Sequence, residues 1–124
     1  MRTGMVFVVG ALLFGMAAAP AFAETKTVRG TLVDLACYSK DKANTTNAHK
    51  GMGDTCAQDC AKKGMPAAIV TSDGQVYQLT GGVAANNNAK LVPHMSHTVE
   101  VTGDVTTKDG KMMIAANDVK MISK

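Results

Sequence analysis

The chain has 124 residues, a formal net charge of +3 at pH 7, and charged side chains at 19% of its positions, with no basic block. Its length suits one small domain, and its mixed charges do not favour a polyanion partner. Beyond the apolar N-terminal segment the aromatic residues are Tyr38 and Tyr77. Binding of single-stranded nucleic acid needs stacking aromatic side chains and a basic groove, so we expect no nucleic-acid partner.

The first 23 residues predict a secretory signal peptide. Arg2 gives a positive start, residues 5–19 are apolar, and A-F-A at 21–23 is a small-residue cleavage site. The apolar run is shorter than the roughly 20 residues of a membrane span, so we expect cleavage after Ala23 rather than an uncleaved anchor. The predicted product is a soluble periplasmic or secreted domain, residues 24–124, with no membrane attachment after cleavage.

The first strand is predicted at residues 27–35, which are rich in β-branched side chains. Residues 39–54 are mostly Lys, Asn, Thr, Gly and Ala, and they predict a long loop. A short helix is expected at 55–63. Thr55 and Gln58 match a capping box, and Gly64 is suited to end the helix.

Two β-hairpins are predicted in the second half of the chain. Residues 67–71 and 75–79 flank one Asp-Gly turn, and residues 97–106 and 112–116 flank another. Between them, 83–96 should be a loop with one helical turn near 87–92. Gly103 suggests a bulge. A last strand is expected at 118–122.

These elements predict a mainly β fold. We expect a small five-stranded OB-like barrel with one short cysteine-bearing helix between strands 1 and 2, because closure removes exposed strand edges. The alternative is an α+β open sheet with the helix packed against it.

The candidate functional residues are the three cysteines, Cys37, Cys56 and Cys60. Cys56 and Cys60 are four residues apart, so on a helix they share one face. Together with His49 they form the Cys₃His set of a tetrahedral zinc site, and His94 and His97 are alternative fourth ligands. Soft thiolates also suit Cu(I). The predicted cofactor is therefore Zn²⁺ or Cu⁺.

An odd number of cysteines also allows other interpretations. A disulfide from Cys37 to Cys56 or Cys60 would staple the domain and leave one thiol to pair with a protein partner. A redox-active thiol pair is a third possibility. Asp34 is interpreted as an ordinary strand-end charge, and the alternative is that Asp34, Asp54 and Asp59 form a carboxylate group near the thiols. The sequence has no established catalytic motif, so we expect a non-enzymatic protein.

The predicted function is thus an exported domain that binds a soft metal ion in a structural or metal-handling role. A disulfide-stapled interaction module is the alternative, and a thiol redox protein is the third reading.

The segments G-T-L-V-D-L-A-C-Y, C-A-Q-D-C-A-K-K-G-M-P and V-E-V-T-G-D-V resemble a group of small exported bacterial domains. The shared pattern is D-x-x-C-Y, then C-A-x-x-C-x-x-x-G-x-P, then an Asp-Gly hairpin. The resemblance covers about residues 28–105. It implies an OB-like strand order and no particular activity.

Overall fold

The computed structural model describes residues 23–46 and 55–124. The predicted signal peptide, apart from Ala23, lies outside the described residues, and so does His49. Within these two ranges no helix is long and apolar enough to cross a membrane.

The two described ranges contain six strands and three short helices, together with two 3₁₀ turns on either side of the third helix. In chain order they are β1 Glu24–Asp34, α1 Leu35–Lys40, α2 Cys56–Lys62, β2 Ala67–Val70, β3 Val76–Thr80, the turn Gly81–Ala84, α3 Ala85–Asn88, the turn Val92–His94, β4 Thr98–Lys108, β5 Lys111–Ala115 and β6 Lys120–Ser123.

Five of the strands close into a barrel. Strand β1 pairs with β2, β2 with β3, β3 in parallel with β5, β5 with β4, and β4 again with β1. The eleven residues of β1 make this possible, since residues 24–31 pair with β4 and residues 31–34 pair with β2. Strand β6 pairs with β4 as an addition to the ring. The predicted OB-like barrel is confirmed, and the open α+β sheet is wrong because β1 has a partner on both sides.

Both Asp-Gly turns form hairpins as predicted. At the second, Lys108 lies opposite Lys111, and Asp109 and Gly110 have φ angles of 52° and 74°. Such a two-residue turn requires positive φ at both positions, which Asp and Gly tolerate. The predicted bulge at Gly103 is wrong, because β4 and β1 stay in register there.

Helix α2 forms where it was predicted, and Gly64 ends it. Gly64 has a φ of 81°, its N–H donates to the Ala61 carbonyl, and the Met65 N–H donates to the Cys60 carbonyl. These two bonds make a Schellman motif. The C-terminal end of α2 is further held by Asn88, which is buried and donates from Nδ2 to the carbonyls of Ala61 and Met65, both at 2.9 Å.

The start of α2 differs from the prediction. Thr55 makes no capping bond with its side chain; its hydroxyl donates to the Asp59 carboxylate at 2.8 Å. Gln58 reaches away from the helix and donates to the Val92 carbonyl at 3.4 Å. The expected capping box is therefore wrong. Gln58 instead connects α2 to the segment before β4.

The core is aliphatic, as expected for a domain with so few aromatic residues. The barrel interior is filled by Val, Leu and Ile side chains, and Met95 is fully buried among them. Helix α2 joins this core through Ala57 and Ala61. Because these two small side chains face the barrel, the helix lies close to β1, and its neighbouring face is left for the cysteines.

Candidate metal centre

Cys37 enters the site from the end of the first strand. Strand β1 ends at Asp34, and the chain turns directly into α1, a helix of six residues that the sequence analysis did not predict. Cys37 is the third residue of α1 and is buried. Its carbonyl accepts hydrogen bonds from the Asp41 N–H and the Asn44 side-chain amide, each at 3.0 Å. These bonds fix the helical turn that carries the thiol.

Cys56 and Cys60 enter from α2. They occupy its first and fifth residues, on one flank of the helix beside the buried alanines. The chain beyond α2 then returns to β1. The Leu35 N–H donates to the Pro66 carbonyl at 3.0 Å, and Ala67 pairs with Asp34. This pairing brings the end of α2 beside the start of α1, so that two distant parts of the sequence present their thiols to one another.

The three sulfur atoms form a compact cluster. The Sγ atoms of Cys37, Cys56 and Cys60 all lie within 4.8 Å of one another. No disulfide joins these three cysteines, all of which belong to the described part of the chain. Three thiolates around one zinc ion at about 2.3 Å would be roughly 3.8 Å apart. A small inward movement of the sulfurs therefore suffices to surround a metal ion.

The site keeps two of its thiols protonated when no cation is bound. The pKa of Cys37 is raised to about 12, first by a hydrogen bond to the Asp34 carboxylate, then by burial, and then by the charges of Asp34, Cys56 and Cys60. Burial is the main reason that the pKa of Cys60 is also raised, followed by the charge of Asp34. A positive ion at the centre would reverse this balance, because it favours the thiolates and displaces their protons.

The carboxylate of Asp34 lies beside the thiols. Only 1% of its surface is exposed, and neither carboxylate oxygen has a hydrogen-bond partner of regular geometry among the described residues. The donors that its carboxylate meets are the weak S–H groups of Cys37 and Cys60. The interpretation of Asp34 as an ordinary strand-end charge is wrong. The D-x-x-C spacing in the sequence was the signal that could have linked it to the thiols.

The histidines named in the sequence analysis are less well placed. His49 lies outside the described residues. The rings of His94 and His97 meet edge to face with centroids 6.5 Å apart, and the Nδ1 atom of each is buried without a hydrogen-bond partner in the described ranges. Neither belongs to the group of mutually close ligand atoms. Metal ligation by any of the three stays a prediction.

The position of the turn Val92–His94 explains why His94 is outside the cluster. This turn contacts α2 through Gln58. Residue 58 points about 160–200° away from residues 56 and 60 on a helix of 3.6 residues per turn. The turn therefore lies on the flank of α2 opposite the two cysteines.

No protein-family model, curated protein or solved structure matches this chain. The resemblance to small exported bacterial domains therefore stays a prediction. The closed barrel and the cysteine cluster are established by the structure itself.

Proposed function

We propose that this protein is an exported, non-enzymatic domain that binds one soft metal ion, Zn(II) or Cu(I), through Cys37, Cys56 and Cys60. The observation that carries the proposal is the distance of at most 4.8 Å between the three sulfurs, which come from two helices far apart in sequence. Thiolate sulfur is the preferred donor for both ions.

Metal binding at this position would have a structural consequence. Helix α1 continues directly from β1, and α2 is followed by β2, so a bound ion would fasten the two helices across the segment between them. In a domain of this size the hydrophobic core leaves only a small margin of stability, and a metal ion commonly adds to it. A structural or a metal-handling role follows from the same site.

The second candidate, a disulfide-stapled interaction module, is supported by the same short distances. A disulfide needs a sulfur–sulfur bond of about 2.05 Å, which two of the three cysteines could reach with a local shift, leaving one thiol for a partner. The third reading, a redox or catalytic thiol, is less favoured. The thiolate is the reactive form, and the raised pKa values of Cys37 and Cys60 keep those two sulfurs protonated at neutral pH.

A substrate-sized cavity of about 550 Å³ lies elsewhere on the molecule. It is lined by residues of α1 and of the two hairpins, among them Tyr38 and Met112, and by Lys42, which follows α1; none of the three cysteines lines it. The thiol cluster is thus separate from this cavity, which agrees with a binding role rather than a catalytic one.

Metal analysis of the purified protein tests the proposal. The protein, isolated under reducing conditions from cells expressing the full chain, should take up one Zn(II) or Cu(I) per chain in a titration followed by elemental analysis. Serine at Cys37, Cys56 or Cys60 should weaken binding at least a hundredfold. His94→Gln is the matched variant outside the cluster. Stoichiometric binding that survives all three serine substitutions would contradict the proposal.

A further inference from the structure

The cysteine cluster alone does not explain why the carboxylate of Asp34 is buried beside it. Asp34 is the residue that precedes α1, where an aspartate normally accepts a hydrogen bond from a backbone N–H of the first helical turn. Here its side chain makes no capping bond. None of the ion pairs found among the described residues includes it either.

Such an arrangement is unfavourable unless something compensates for it. Buried carboxylates in folded proteins are hydrogen-bonded, paired with a cation or bound to a metal ion. Asp34 is almost fully buried, has no regular hydrogen-bond partner in the described ranges, and faces the Cys37 and Cys60 thiols. A thiol is a weak donor, so these contacts satisfy the carboxylate poorly. A cation held by the same sulfurs would satisfy it directly.

We propose that Asp34 is the fourth ligand of the metal ion, so that the site is a Cys₃Asp centre that takes a divalent ion of the Zn(II) type. This inference rests on the proposed function and decides between its two metals. Carboxylate oxygen is an established zinc ligand, whereas Cu(I) is selected by soft sulfur donors alone.

Charge also favours the divalent ion. Three thiolates and one carboxylate carry four negative charges in a largely buried place, and a divalent ion neutralises more of them than a monovalent one. The Asp34 oxygens lie beside Cys37 and Cys60 and are not part of the group in which all atoms are within 4.8 Å. Binding therefore requires the carboxylate to move towards the Cys56 side of the cluster.

The test compares Asp34→Asn with Asp59→Asn, a control that removes an exposed carboxylate from α2. Wild type and both variants are titrated with Zn(II), with Co(II) as a coloured substitute, and with Cu(I) against a competing chelator. We expect Asp34→Asn to weaken Zn(II) and Co(II) binding at least tenfold and to shift the Co(II) ligand-field bands. The Cu(I) affinity should not fall, and Asp59→Asn should match wild type for all three ions.

Three other outcomes are decisive. Unchanged Zn(II) affinity and an unchanged Co(II) spectrum in Asp34→Asn would overturn this inference and leave the three-cysteine site intact. An equal loss of Zn(II) and Cu(I) affinity would also overturn it, since Asp34 would then act on the sulfurs rather than on the ion. A wild-type protein that binds no metal would remove the proposed function, and this inference with it.

A second measurement does not depend on whether the variant folds. X-ray absorption at the zinc edge of the loaded wild-type protein should show three sulfur neighbours at about 2.3 Å and one oxygen at about 2.0 Å. It should lack the outer scattering of an imidazole ring. An imidazole pattern would assign the fourth position to a histidine, and a four-sulfur or three-sulfur shell would exclude the carboxylate. Either result would overturn the inference.

Discussion

The substitution Asp34→Asn should stabilise the metal-free protein and reduce the stabilisation that bound zinc adds. Asp34 has both oxygens buried without a regular hydrogen-bond partner within the described structure. A buried polar group left in this state costs about 1–3 kcal/mol, and a charged group costs more. The amide of Asn has nearly the same shape and carries no charge. In the presence of a chelator, we therefore expect the free energy of unfolding of the variant to be about 1–3 kcal/mol higher than that of wild type.

With zinc in excess the variant's advantage in unfolding free energy should shrink. A metal that binds only the folded state stabilises it by RT ln(1 + [L]/Kd), so a tenfold loss of affinity removes about 1.4 kcal/mol of that stabilisation. Urea unfolding with chelator, and again with saturating Zn(II), measures both quantities for wild type and variant. The zinc-dependent gain should be smaller in Asp34→Asn. A variant less stable than wild type in the chelator would refute this reasoning, because Asp34 would then be a structural hydrogen-bond partner.

Three further predictions concern a thiol, a helix anchor and a strand contact. In the metal-free protein Cys37 has a pKa of about 12, against an ordinary 9.0, so at pH 8 it should be alkylated about a thousandfold more slowly than an ordinary cysteine. Peptide mapping measures this rate, and labelling of Cys37 at the ordinary rate would contradict the prediction. Asn88→Gly removes two hydrogen bonds and should lower the unfolding free energy by about 1–3 kcal/mol, whereas Asn86→Gly, an exposed position of similar φ, should be near neutral in the same urea assay. Gly103→Ala should destabilise by about 1–3 kcal/mol because the new Cβ would clash with the Ala115 carbonyl oxygen. A thermal midpoint equal to that of wild type would contradict this and would show that β4 moves aside.

Features determined by local backbone chemistry were predictable from the sequence. The Asp-Gly turns and the ending of α2 at Gly64 depend on residues that tolerate positive φ, and each was found at the expected place. The closed barrel followed from the number of strands and the need to remove exposed strand edges. The same reasoning placed Cys56 and Cys60 on one helix flank.

Features that depend on tertiary contacts were not predictable in this way. Helix α1 is short and is held by hydrogen bonds from Asp41 and Asn44. No periodic pattern in the sequence predicts these hydrogen bonds. Gln58 left the expected capping box because the Val92 carbonyl, distant in sequence, competes for its amide. Gly103 forms no bulge and instead lies close to the backbone of Ala115 in β5.

The role of Asp34 shows the same limit at the site itself. An aspartate at the end of a strand and before a helix is ordinarily an exposed cap, and that interpretation is the one that local rules favour. Asp34 becomes buried only when β2 pairs with the end of β1, because this pairing brings α2 beside the end of β1. The sequence indicated which sulfurs could act together, but only the fold shows the carboxylate beside them.

Native mass spectrometry of the protein, as it is recovered after expression of the full chain, shows whether the three sulfurs hold a metal ion. Denaturing spectra of the same sample give the oxidation state of the cysteines. We expect one bound metal ion per chain, three reduced cysteines in the denatured chain, and loss of the ion in Cys56→Ser. A chain lighter by two hydrogens with no bound metal would contradict it and would assign the cluster to a disulfide.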